Sequence, residues 1–386
     1  MRQATRAFVA CALLLAAFCG AAGRADAQTQ DAGTAPVPEG ASLLNPAISA
    51  IGWFQAEAGD QNNEEGSTAF ELREAEIGLQ ANVDPYSRAD FFIAVSPAEG
   101  VDLEEGTLTL FALPAGLTAK LGKFRSNFGK FNRTHPPETP FADRPLAAER
   151  FLGEEGLAPA GLSASWLAPL PFYVNLDAEV TTTPEAHAHE EEEEGEEEEI
   201  PTAFEPYRGK DLLYLGRLST FVNLSEAMNL TLGGNYANGA NGSAQADTAS
   251  PVEALRAALY GADATFRWKN PKRAIYRSLV AQVEWMERSA ETLGGPDEKR
   301  QGAYAWVDFQ FARRWHVGAR YDWSDALGAP EEDPATGVLG FLTFTPSEFS
   351  LISFQGRSQD LEGGASETRW FLKTTFNIGP HGQHPF

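Results

Sequence analysis

Two histidines one residue apart, His187 and His189, stand at the head of the run HAHEEEEEGEEEE at 187–199, just after Glu185 and directly before Glu190. Neutral imidazole beside carboxylate suits zinc, nickel or copper, whereas carboxylates alone suit calcium more loosely. A His-x-His pair on an unconstrained chain gives a modest, promiscuous site. His187, His189, Glu185 and Glu190 are therefore expected to attract divalent cations, zinc or calcium, with no catalysis and no resident cofactor implied. The plainer reading of the same run is a self-repelling, solvated tract kept in water by its charge. The other histidines are His135, His316, His381 and His384, and none shows the spacing to a serine and a carboxylate that an activated nucleophile needs. The chain is not expected to be an enzyme.

A second set of charged residues shares a pattern. Glu74, Glu76, Asp90, Glu105, Asp177, Glu179, Asp263, Glu284, Asp308 and Asp322 lie on the polar phase of alternating segments, together with Lys123, Arg125, Arg217, Arg267, Arg320 and Lys373. If each segment is a strand with one wet face, these sixteen side chains line one water-filled space. Ten acids against six bases favour the passage of cations. Lys123 and Arg125, followed by Lys130 and Arg133, would form a basic ladder opposite the acids of the second strand; mutual neutralisation across the lumen is the alternative.

The elements that position these charges are legible as period-two alternation in stretches of roughly ten residues. In 74–84, Glu74, Glu76, Gln80 and Asn82 interleave with Ala75, Ile77, Leu79, Ala81 and Val83. In 315–324, Trp315, Val317, Ala319, Tyr321 and Trp323 interleave with His316, Arg320, Asp322 and Ser324. Extended chain places such sets on opposite faces. Sixteen strands follow: 48–57, 70–83, 88–97, 101–112, 117–128, 160–168, 171–181, 208–222, 228–238, 257–268, 276–288, 301–312, 314–324, 338–346, 348–358 and 367–378. Their connections alternate for most of the chain between tight turns and long loops, the latter at 129–159, 182–207, 239–256, 289–300, 325–337 and 359–366, with the short 96–100 link as the exception. Short turns on one side and long loops on the other mark an all-β transmembrane antiparallel barrel with short periplasmic turns and long extracellular loops. A soluble sandwich would not sort its loops by length. Trp53, Trp166, Trp268, Trp315, Trp323 and Trp370 fit an interfacial aromatic girdle.

Composition agrees. The chain has 386 residues and a net charge of −24, which is unsuited to nucleic acid. Residues 1–27 carry Arg2 and Arg6, an apolar run and Ala25-Asp26-Ala27, and read as a cleaved signal peptide for export to the outer membrane of a Gram-negative cell. Both cysteines, Cys11 and Cys19, fall inside it. Residues 28–44 form a small-residue leader, too short for the plug of a TonB-dependent transporter, and 45–386 form the barrel.

The segments LGKFRSNFGKFN at 121–132 and ERFLGEEGLAPAGLSASW at 149–166, with RWKNPKRAIYRS at 267–278 and the end FNIGPHGQHPF, resemble the phosphate-selective (OprP/OprO-like) porin family of outer-membrane barrels, in a divergent branch. The resemblance implies a passive channel for small ions or solutes set in outer-membrane lipid, a homotrimer, and a 129–159 loop that folds inward to constrict the pore. The acid-rich lumen departs from an anion-selective family, and the expected function is a cation-preferring porin. An anion-selective porin, or a plugged barrel serving as a surface anchor, are the alternatives.

Overall fold

A computed structural model describes residues 46–59, 70–97, 100–183, 202–206, 211–242, 255–272, 276–292, 295–327, 333–361 and 364–379. Its strands are β1 (Ala47–Gly59), β2 (Phe70–Asp84), β3 (Ser87–Ser96), β4 (Gly100–Leu110), β5 (Leu117–Lys123), β6 (Ala160–Leu167), β7 (Tyr173–Thr182) and β8 (Leu212–Ser225). They continue with β9 (Met228–Ala240), β10 (Arg256–Lys269), β11 (Ser278–Ala290), β12 (Glu298–Ala312), β13 (Trp315–Ser324), β14 (Ala335–Ser347), β15 (Ser350–Asp360) and β16 (Ser366–Ile378). Each pairs with its sequence neighbour, and β1 pairs antiparallel with β16, so the sheet closes into a barrel without an edge. An even strand count brings the start of β1 and the end of β16 to the same rim as the short turns.

The exposure pattern is inverted relative to a soluble protein. Along β13, Val317 and Tyr321 are 45% and 41% exposed, while Arg320 and Asp322 on the other phase are 2% and 1% exposed. The same alternation puts Ile77, Leu218, Leu342, Phe354 and Leu372 outside. An apolar outer belt with charged residues inside is stable only when lipid replaces water at the outer face. The barrel is transmembrane. No helix among the described residues is long and apolar enough to cross a membrane; the strands do the crossing.

Two sequence expectations change. The fifth strand was expected over 117–128 but stops at Lys123, because Gly122 adopts a φ of +125° and the chain leaves the wall there for the lumen. Trp53 does not belong to an interfacial girdle. It lies on the inner face of β1, 5% exposed, with the Lys373 ammonium 4.3 Å from its ring centroid. Indole offers a cation–π surface that a buried ammonium can use, and that contact sets the face Trp53 occupies.

Candidate functional site

Residues 124–159 turn into the barrel and carry a wedge of aromatic side chains. Phe128, Phe131, Phe141 and Phe151 are all buried, alongside a short helix α1 (Leu146–Leu152). Phe141 meets Trp306 edge-on at 5.6 Å and Phe341 at 5.9 Å, and Phe131 meets Tyr304 at 6.0 Å. These partners are inward residues of β12 and β14, so the apolar core sits inside the lumen and consists of loop against wall. The loop was expected to narrow or plug the pore, and it fills the middle of it. At mid-height the inward residues of every strand but β5 are buried. Towards the short turns, Asn175, Ser219, Thr231 and Asp308 are only half-buried, and that part of the lumen is open to water.

An irregular backbone inside a barrel needs partners for its N–H and C=O groups, and the wall charges supply them. Lys373 on β16 donates from Nζ to the carbonyls of Thr139 at 2.8 Å, Phe141 at 2.9 Å and Pro136 at 3.2 Å. Glu284 on β11 accepts from the backbone N–H groups of Lys130 at 2.8 Å and Phe131 at 2.9 Å. Glu179 on β7 accepts from the N–H of Asn127 at 3.0 Å. Gly129 stands at a φ of +65° where a Cβ would run into the Glu284 carboxylate, so this close approach requires glycine. Gln355 on β15 receives the N–H of Ala142 at 3.0 Å and donates to the carbonyl of Pro140 at 3.0 Å.

The tightest ionic grip falls on Asp143. Arg320 on β13 reaches it at 2.9 Å and Arg357 on β15 at 2.6 Å, while Arg320 also holds Asp322 at 2.7 Å and Arg357 holds Glu367 at 3.3 Å. The Arg320 guanidinium lies 4.6 Å from the Phe141 ring centroid. Burial would push the Asp143 carboxyl up, but the two guanidinium groups hold it below the usual carboxylate range.

Further round the wall, beyond β16 and β1, His135 is buried among carboxylates of β2 and β4. Its Nδ1 lies 2.5 Å from Glu104 and 2.9 Å from Glu76, and its Nε2 lies 3.0 Å from Glu105. Arg125 pairs with the other oxygen of Glu104 at 2.6 Å and donates to the carbonyl of Glu155 at 2.6 Å. Burial alone would favour a neutral ring, yet Glu76, Glu104 and Glu105 hold the imidazole well above its ordinary value. Two consecutive glutamates reach the same histidine because Glu104 is the extra residue of a β-bulge, where Phe92 pairs with Glu105 and Ile93 with Leu103.

Of the sixteen charged residues assigned to the lumen, Glu74, Glu76, Asp90, Glu105, Asp177, Glu179, Arg217, Asp263, Arg267, Glu284, Asp308, Arg320, Asp322 and Lys373 fall on inward positions of their strands. Many are paired there: Arg217 with Asp263 at 2.6 Å, His316 with Asp308 at 3.0 Å and Arg88 with Asp90 at 2.7 Å. Lys123 and Arg125 do not form the expected strand ladder. Lys123 stands opposite Gly106, on the face of Leu121, and reaches Asp102 at 3.2 Å, whereas Lys120 takes the inward phase of β5. Arg125 belongs to the inward loop. His187, His189, Glu185 and Glu190 lie outside the described residues. Sequence reasoning missed Glu104, His135, Asp143 and Arg357. The loop residues carry no periodicity, and a bulge erases the alternation that would have placed Glu104.

No protein-family model matches the chain. An uncharacterised protein of Aquifex aeolicus is 32% identical over 351 residues, which span 86% of this chain and 72% of that one. The chain belongs to the same family. Among solved structures, the anion-selective porin from Comamonas acidovorans aligns with a TM-score of 0.54 at 11% identity, over 86% of this chain and 99% of the porin. The trimer form of OmpT from Vibrio cholerae aligns at 0.53 and 9% identity over 86% and 100%. The outer-membrane channel DcaP of Acinetobacter baumannii aligns at 0.53 and 10% identity over 86% and 97%. These likenesses show the fold alone, a closed sixteen-stranded barrel resembling porins and channels in general, and do not single out phosphate-selective ones.

Proposed function

We propose that the protein is an outer-membrane channel of the porin type, narrowed by its inward loop so that only small ions or solutes pass, with the long loops outside the cell and the short turns in the periplasm. The observation that carries this reading is the polar, charge-lined interior of a closed sixteen-stranded barrel, together with the porins and channels that share its fold. A homotrimer, as in the trimer form of OmpT, belongs to the same reading. The burial of inward side chains at mid-height favours a second one, a barrel that rests closed and anchors its extracellular loops. Planar-bilayer recording separates the two: small, discrete conductance steps are expected, and a silent membrane at high protein dose would overturn the channel.

Selectivity is proposed to favour cations modestly. The arginines at mid-height are largely neutralised by pairing, as Arg217 is by Asp263 and Arg320 by Asp143 and Asp322. Glu179 and Glu284 instead accept neutral backbone N–H groups from the inward loop. Lys130 opposes them. Burial, with Arg267 and Arg133 close by, pulls its ammonium down to about 7 against the attraction of Glu284 and Asp263. Below that pH Lys130 adds a positive charge to the constriction, and above it the charge is gone. Reversal potentials under a salt gradient are therefore expected to become more cation-selective as pH rises through about 7. Lys130→Gln should weaken that dependence and shift the low-pH selectivity towards cations; an undiminished pH dependence in the variant would remove Lys130 from the explanation.

The acidic His/Glu run at 185–199 is proposed to concentrate divalent cations at the pore mouth by its field. Its deletion should leave heat-modifiability intact and reduce cation preference at low salt only, because a solvated charge tract is screened within about 8–10 Å at physiological ionic strength.

A further inference from the structure

The geometry points to a second, buried divalent-cation site of the zinc class, formed by His135 Nδ1 and the carboxylates of Glu76 and Glu104, that pins the inward loop to β2 and β4. It is separate from the His187/His189 run and does not depend on the channel reading. One ligand atom from each of the three residues lies within 4.8 Å of the others, and all three side chains are buried. One imidazole nitrogen with two carboxylate oxygens is a borderline donor set that suits zinc better than calcium.

The surroundings are arranged as metal-bound histidines require. Nε2 faces Glu105 at 3.0 Å, so a proton there is held by a carboxylate, and an ion that displaces the Nδ1 proton would meet Nδ1 together with Glu76 and Glu104, the carboxylate–histidine–metal arrangement. Arg125 occupies Oε1 of Glu104 at 2.6 Å and leaves Oε2 for the centre. Glu76 is 1% exposed and its Oε1 has no hydrogen-bond partner, and Oε1 of neighbouring Glu74 has none either. An isolated carboxylate oxygen away from water costs free energy unless something cationic or a donor meets it. The carboxylates of Glu76, Glu104 and Glu105 converge on His135, with the Arg125 guanidinium on the far oxygen of Glu104. Bonds of about 2.0–2.2 Å set tetrahedral ligand atoms a little over 3 Å apart, so Glu76 and Glu104 need to draw back by roughly 0.4–0.8 Å. The occupant that competes with the ion is a proton on Nδ1, shared between the same two carboxylates.

The site would act mechanically. His135 belongs to the loop, whereas Glu76 and Glu104 belong to the wall, so an ion between them joins the two directly before Pro136, whose carbonyl Lys373 holds from β16. The bulge at Glu104 is what delivers the second wall ligand.

The test uses the full-length barrel purified in detergent, loaded with zinc and passed through a chelating resin. Metal analysis is expected to find about one more tightly held zinc per chain in the wild type than in His135→Gln, any zinc on the external histidine run being common to both. Zinc-edge X-ray absorption of the wild type should show nitrogen and oxygen neighbours at about 2.0–2.2 Å. Glu105→Gln, which touches no ligand atom of the centre, should keep the heat-modifiable barrel and weaken zinc about 10–100-fold as a positioning residue. Equal zinc in wild type and His135→Gln, or a wild type stripped completely by the resin, would overturn the site. Should His135→Gln fail to fold, the wild-type absorption spectrum and the Glu105→Gln affinity decide it alone.

Discussion

Asp143→Ala is expected to destabilise the folded barrel by about 3–5 kcal/mol, the usual cost of removing one partner from a buried, hydrogen-bonded ion pair. The substitution takes away the carboxylate that Arg320 and Arg357 share at 2.9 and 2.6 Å and leaves the two guanidinium groups facing each other with only Asp322 and Glu367 to offset them. It also frees the segment that carries Phe141, whose ring fills the space between Trp306 and Phe341. Two readouts should move together: the urea midpoint of the heat-modifiable form falls, and the conductance of the surviving channel becomes larger and noisier. Asp143→Asn keeps the shape but loses the charge and should fall between wild type and alanine. The pH dependence follows from the direction of the Asp143 shift. Because its carboxyl is held below the ordinary carboxylate range, its contribution is complete above the unfolded value near 4 and is lost as pH falls through the folded value. The difference between wild type and Asp143→Ala should therefore shrink only in strong acid. A difference that vanishes already near neutrality would mean the clamp is held by something other than this charge.

The outer half of this architecture is readable from sequence because lipid and water impose a period of two on every strand, and β13 shows why: Val317, Ala319 and Tyr321 have no freedom to exchange faces with Arg320 and Asp322 once one side is hydrocarbon. The number of strands, the sorting of turns from loops and the inward phase of fourteen charged residues all rest on that constraint. The inner half obeys a different rule. Phe128, Phe131, Phe141 and Phe151 are apolar residues buried in the lumen, with spacing set by 3-10 turns, prolines and one short helix, so no single period exposes them. Trp53 and Lys373 form an aromatic–ammonium contact between β1 and β16, strands at opposite ends of the chain that only barrel closure brings together. His135 illustrates the limit most plainly. In the sequence it is one histidine between a threonine and two prolines, and its significance comes from glutamates 59, 31 and 30 positions earlier, which the barrel wall and one bulge gather around it.

Leu342→Arg is the substitution that tests the phase of the whole barrel. Leu342 lies near the middle of β14, is 43% exposed on the outer face and pairs in register with Val317 and Phe354, which are themselves 45% and 52% exposed. All three are apolar and point away from the lumen, so in the assembled membrane they meet hydrocarbon. An arginine at the midplane of a lipid-facing strand costs about 2–4 kcal/mol, falling towards 0–1 near the interfaces. The same change at Phe349, 52% exposed in the β14–β15 turn at the short-turn rim, should therefore be nearly neutral. Folding into lipid vesicles of increasing urea concentration measures both, and the contrast between them is the informative quantity, since any general loss from a bulky side chain is shared. Leu342→Ala provides the remaining control: it removes outer apolar surface without burying charge and should cost well under half of the arginine penalty. If Leu342→Arg folds as readily in lipid as Phe349→Arg does, the face carrying Leu342, Val317 and Phe354 is not the one that meets the bilayer, and the assignment of every inward charge in the lumen fails with it.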